Sequence, residues 1–106
     1  MLKNKVVWTP LAGHSLHETA EFLLNSWGQP VADQFLDLVD SRIAQLLQVP
    51  ESAPKIEGTR YRRLNVHKHV SMFYMVQGHL IVILLFWDNR KAPEQLLQKL
   101  RQSLDF

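Results

Sequence analysis

A chain of 106 residues, 46% hydrophobic and 21% charged, is sized for one domain (residues 1–106) around one core and is too apolar to be disordered. It has no cysteine, which excludes disulfides and cysteine-bound zinc and suits a reducing cytoplasm. The net charge of +2 hides an uneven distribution: residues 53–91 carry Lys55, Arg60, Arg62, Arg63, Lys68, Arg90 and Lys91 against only Glu57 and Asp88, a local +5 that leaves −3 for the rest.

In chain order, Met1-Leu2-Lys3-Asn4-Lys5 leads into only Val6-Val7-Trp8 before polar residues return, too short an apolar run for a signal-peptide core. Lys3 to Trp8 instead predicts a short edge strand. Thr9-Pro10 then offers a hydroxyl N-cap followed by proline at the first helical position. Ala12, Leu16, Ala20, Leu23 and Trp27 recur at helical spacing and place one face of a helix over 10–27 against a core. Gly28 stops it, and Pro30 opens a second helix over 30–49. Its stripe is Val31, Phe35, Leu38, Val39, Ile43, Leu46 and Leu47, and Pro50 ends it. So short a connection makes the pair an antiparallel hairpin.

Residues 51–58, with Pro54 and Gly58, read as a loop. The period then changes to two. Leu64 and Val66 alternate with Arg63, Asn65 and His67, and Val70, Met72, Tyr74 and Val76 alternate with Ser71, Phe73, Met75 and Gln77. Gln77-Gly78-His79 is a turn into Leu80–Trp87, an unbroken apolar run that predicts a buried central strand beside the basic one and is too short to span a bilayer. Pro93 to Leu104 closes the chain as a helix with Leu97, Leu100 and Leu104 on one face. The order βααβββα predicts an α+β domain, an antiparallel meander with an N-terminal edge strand packed under a helical hairpin.

No spacing matches a nucleotide, metal or catalytic-triad motif. His14 and His17 lie three apart on the first helix without a third ligand nearby, so neither metal nor cofactor is expected. His67, Lys68 and His69 crowd the first hairpin turn, where a base near neutral pH is chemically available, although a solvated turn needs no function. Arg62 and Arg63 point to opposite faces, one of them free for a surface and the other for pairing with helix carboxylates. Arg90, past the end of the buried strand, can present a guanidinium to an anion or pair with Asp88. Tyr74 reads as core with its hydroxyl satisfied at the rim, and Trp8, Trp27 and Trp87 as core or interface anchors.

Val7-Trp8-Thr9-Pro10-Leu11-Ala12, the helix pair, Arg62-Arg63-Leu64, Phe73-Tyr74-Met75-Val76 and Ile83-Leu84-Leu85-Phe86-Trp87-Asp88-Asn89-Arg90-Lys91-Ala92-Pro93 together resemble the RelE/ParE superfamily of bacterial toxins, and within it the ParE branch. The resemblance covers nearly the whole chain. It implies the toxin of a type II toxin–antitoxin module, a growth-inhibiting and plasmid-stabilising system in which a soluble cytoplasmic toxin is neutralised by a cognate antitoxin. ParE-like members are understood to poison DNA gyrase without cutting RNA. RelE-like members act at the ribosome and cut mRNA, with an arginine after the last strand and a tyrosine or His-Tyr pair near the carboxyl end. Arg90 matches that arginine, but Gln95 and Leu96 stand where the aromatic acid or base belongs, and the chain closes with Ser103-Leu104-Asp105-Phe106.

The resemblance places antitoxin or target docking on Arg60, Arg62, Arg63, Lys68, Trp87, Arg90 and Lys91. If the chain is a nuclease instead, Arg63, Arg90, His67 and His69 are its candidate catalytic residues. A third possibility is a decayed toxin that only binds its antitoxin. No membrane partner and no sequence-specific DNA binding by this chain alone are expected.

Overall fold

The computed structural model describes residues 3–104; Met1, Leu2, Asp105 and Phe106, which entered the expectations for the two chain ends, lie outside the described residues. The elements follow the expected order: β1 (Lys5–Trp8), α1 (Pro10–Trp27), α2 (Gln29–Gln48), β2 (Arg62–His67), β3 (Val70–Gln77), β4 (Leu80–Asp88) and α3 (Pro93–Gln102). Thr9 caps α1 as its type predicts, its Oγ1 accepting from Ala12 N at 3.1 Å, with Pro10 in the first turn. Gly28 is the sole residue between the helices. Its φ of +94° is a conformation that a residue with a Cβ rarely adopts, which explains how so short a link reverses the chain.

The four strands are ordered β1-β4-β3-β2. The meander is antiparallel, while β1 joins β4 in parallel, from Lys5 opposite Leu80 to Trp8 opposite Ile83. The sheet is therefore mixed. Its order corrects one expectation: the apolar strand β4 lies between β1 and β3, and the basic strand β2 stands one strand away at the far edge.

Both faces of β4 are covered, which is why it reads as an unbroken apolar run rather than an alternating one. On one face Met72, Tyr74, Ile81, Ile83 and Phe86 pack with Ala12, Leu23, Phe35, Val39 and Leu46 of the hairpin. On the other, Phe73, Met75, Val82, Leu84, Leu85 and Trp87 pack with Leu100, Leu96 and Leu104 of the C-terminal segment. Leu97, expected on the buried stripe of α3, is exposed instead. The two faces of β3 divide as the alternation predicts. Tyr74 is fully buried, its hydroxyl donating to the Pro50 carbonyl at 2.8 Å, and burial pushes its phenol up from the ordinary value.

Two bulges interrupt the alternation. Phe73 pairs with Leu85 and Tyr74 with Ile83, so Leu84 is an extra residue on β4. Leu84 and Leu85 consequently share the α3 face, and Phe86 returns to the hairpin face. On β2, Asn65 pairs with Ser71 and His67 with Val70, leaving Val66 as the extra residue. Strict alternation put His67 on the face of Arg63 and Asn65. The bulge turns it to the hairpin side, where its ring meets Phe35 edge-on at 6.4 Å.

Because β1 ends at Trp8, the upper half of β4 has no strand neighbour on that side. The start of α1 supplies the missing partners: Thr9 Oγ1 donates to the Leu84 carbonyl at 3.1 Å, and Ser15 Oγ accepts from Phe86 N–H at 2.9 Å. Ser15→Ala leaves that buried amide unpaired, so it is expected to lower the unfolding free energy by about 1–3 kcal/mol. Urea denaturation checks it. An unchanged midpoint would mean that the amide finds another partner.

Candidate functional site

The β2–β3 turn and the segment after β4 lie side by side, tied by Asn89 N–H donating to the His69 carbonyl at 2.7 Å. This brings His67, Lys68, His69, Asp88, Arg90 and Lys91 to one end of the sheet, where they form one wall of a groove of about 700 Å³. The opposite wall is helical and mixed, with Phe22, Leu23 and Trp27 of α1 and Val31 of α2 beside Ser15, Glu18, Thr19 and Gln34; Val70 and Phe86 also line the groove. Trp27 is 70% exposed and Phe22 51%. Trp27 thus departs from its expected place on the buried stripe. Its four neighbours on that stripe pack inward, while Trp27, the last residue of α1, projects into the groove.

Arg90 is not a free cation. Its Nε donates to Asp88 Oδ1 at 3.0 Å and its Nη2 to Asp88 Oδ2 at 2.7 Å, and its backbone N–H also donates to Oδ1. The side-chain hydrogen bond from Arg90 holds the Asp88 carboxyl below the usual range and pushes the guanidinium up. A carboxyl held low stabilises the fold above its ordinary value of about 3.9, and that contribution is lost as pH falls through its folded value. Arg90→Ala should return the Asp88 carboxyl toward the ordinary value when it is titrated by NMR, and a titration left in place would assign the depression to another cause. Because Arg90 is largely exposed, the effect on stability is small.

The other residues expected to bind lie elsewhere. Arg62 Nη1 donates to the Ala53 carbonyl at 2.6 Å and the Glu51 carbonyl at 3.2 Å, so it fastens the loop before β2 rather than pairing with a helix carboxylate. Arg63 lies on the opposite sheet face, 5.9 Å from the Phe73 ring centroid, its Nε donating to Ser71 Oγ at 3.3 Å. Ser71 Oγ in turn donates to Asn65 Oδ1 and accepts from Asn89 Nδ2, both at 2.9 Å, which fixes a small polar cluster there. Trp87 is buried on that same face, with the Lys91 ammonium 5.3 Å from its ring centroid. Arg60 is exposed in the loop ahead of β2.

The basic stretch thus divides into a groove set, a loop fastener and a group on the far face. Ser15, Glu18, Thr19, Phe22 and Gln34 are groove residues that sequence reasoning did not single out. Phe22 carried a signal, since it is a large aromatic lying off the apolar stripe of its helix.

A sequence model of the family described as ParE toxin of type II toxin-antitoxin system, parDE, matches residues 6–93. Among solved structures, a chain of the chromosomal ParDE TA system from P. aeruginosa superposes with a TM-score of 0.69 at 21% identity, over 81% of this chain and 96% of that one. The YoeB dimer from Staphylococcus aureus gives a TM-score of 0.52 at 11% identity, over 77% and 92%. At such identities the likeness establishes the fold. No curated protein matches the chain significantly in sequence. No helix among the described residues is long and apolar enough to cross a membrane. With the family model spanning all but the first five and the last thirteen residues, the chain belongs to the ParE toxin family of type II toxin–antitoxin systems.

Proposed function

We propose that the protein is the cytoplasmic toxin of a type II pair, neutralised by a cognate antitoxin, and that once free it arrests growth by holding DNA gyrase rather than by cutting RNA. One observation carries the choice between those two actions. Cleavage by the ribose 2′-hydroxyl needs a base, an acid for the leaving oxygen and a cation on the phosphate, all converging on one centre. Here the candidate set is split: Arg63 lies on one face of the sheet, while His67, His69 and Arg90 line the groove on the other, because the Val66 bulge turns His67 to the hairpin side. Arg90, on the His67 side, is already engaged by Asp88. Beside these histidines the groove presents exposed aromatic and cationic side chains, the composition that anchors protein partners.

The purified protein should inhibit DNA supercoiling by gyrase, and induction should give filamentous cells with DNA damage. The polypeptide encoded beside it should reverse both effects. Gyrase left fully active while translation stops within minutes of induction would sink gyrase as the target.

A further inference from the structure

We propose that the edge of β2 carries a phosphate-binding site, separate from the groove, in which Arg42 of α2 and Arg63 of β2 hold one dianionic phosphate group. The two arginines reach the edge from opposite sides of the sheet and line a pocket of about 440 Å³, with Ser52, Pro54 and Asn65 among its other walls. The pocket shares no residue with the groove, and neither a carboxylate nor a histidine lines it.

Each guanidinium is fixed by one nitrogen and free at the other two. Arg42 Nε donates to the Asn65 carbonyl at 3.1 Å and Arg63 Nε to Ser71 Oγ at 3.3 Å; neither arginine has a partner for Nη1 or Nη2, nor an ion pair, among the described residues. Asn65 is oriented as well. Its Oδ1 accepts from Ser71 Oγ, which leaves Nδ2 as a donor without a partner among those residues. The carbonyls around the pocket are already used: Ala53 accepts from Arg62 Nη1, Pro54 from Arg63 N–H and Asn65 from Arg42. Free donors beside spent acceptors, with two positive charges and no negative one, are complementary to an anion.

Charge and oxygen count select among anions. One arginine fork satisfies both oxygens of a carboxylate, so a second fork and an amide would be left over. A phosphodiester brings a single charge to two guanidiniums. A phosphate monoester carries about −1.5 to −2 charge at neutral pH and three strong acceptor oxygens, which matches two guanidiniums and an amide. The terminal phosphate is the shared chemistry, whether it arrives as the free ion or on an ester. Because Arg42 and Arg63 belong to different elements, an occupied site clamps α2 to β2, and the unfolding midpoint should rise with phosphate concentration.

NMR titration of the nitrogen-labelled full-length protein with inorganic phosphate, free phosphoserine and acetate, at equal ionic strength, tests this. In the wild type, phosphate or phosphoserine should shift the Arg42 and Arg63 Nε–H and the Asn65 Nδ2 resonances saturably, and the tighter of the two tells a free ion from an ester. Arg42→Gln and Arg63→Gln should each weaken binding by about tenfold, the effect of losing one charge-assisted partner. Arg60→Gln, outside the pocket, should bind as wild type does. Phosphoserine should bind up to about tenfold more weakly at about pH 5 than at neutral pH, because its second ionisation lies near about 6. Acetate binding as tightly, shifts that spread over the surface without saturating, or binding that survives both glutamine variants overturns the proposal and leaves the toxin reading intact. So does a DNA duplex that displaces phosphoserine and binds more tightly through the same two arginines, since the occupant would then be a phosphodiester backbone.

Discussion

Phe35→Ala is expected to lower the unfolding free energy by about 3–5 kcal/mol, the range for emptying a fully enclosed aromatic site. Phe35 has no solvent exposure and stands where α2 crosses the sheet, edge-on to Phe86 at 6.4 Å and to His67 at the same distance. Phe86 is also stacked against Trp8, with 5.8 Å between ring centroids, so the cavity would open beneath a run of rings that joins β1 to α2. Against a total stability of about 5–15 kcal/mol for a domain, such a loss leaves much of the population unfolded at moderate urea. Phe22→Ala removes an aromatic of the same size from an exposed position, and its effect should stay within about 0.5 kcal/mol. A urea series on both variants separates burial from residue type. A loss below about 1 kcal/mol for Phe35→Ala would mean that the hairpin is not packed on the sheet as described.

Much of this architecture was legible because local signals and tertiary packing agree. Thr9-Pro10 opens α1, Gly28 separates the helices, Pro50 lies just beyond α2, and the change of period after Gly58 marks the meander. What stayed hidden depends on single insertions and on pairing across long separations. Alternation carries no mark of a bulge, so nothing in Leu64-Asn65-Val66-His67 shows that Val66 is the extra residue and that His67 changes face. Nothing in Lys5–Trp8 shows that its partner is β4, some 75 residues later, or that they run parallel.

The destination of Arg62 was equally unreadable, since backbone carbonyls as partners have no residue signature. The groove was half visible. Its cationic wall comes from two short stretches at one end of the β3–β4 hairpin, 67–69 and 88–91, whereas its aromatic wall comes from α1, forty residues or more before them, and becomes adjacent only when the helices dock on the sheet.

Arg90→Ala separates a poison from a nuclease. If the protein acts by holding gyrase, the wild type should leave mRNA uncut on programmed ribosomes, and the substitution should weaken gyrase inhibition. The loss should be about tenfold, the scale of one charge-assisted contact at a rim, and not an abolition, because Arg90 is largely exposed and shares its charge with Asp88. If it acts as a nuclease, Arg90 is a transition-state cation, and its removal should lower A-site cleavage by something on the order of 10²-fold with ribosome binding little changed.

Arg63→Ala and His67→Ala sharpen the distinction. A nuclease working through both residues should lose cleavage with either one, yet the sheet stands between them. On the poison reading Arg63→Ala should leave gyrase inhibition near wild type, since Arg63 faces away from the groove, and only substitutions lining the groove should reduce it. Clear cleavage by the wild type that is lost in Arg90→Ala would replace gyrase with the ribosome as the target. Family membership would stand, because it rests on residues 6–93 as a whole and not on the chemistry of one arginine.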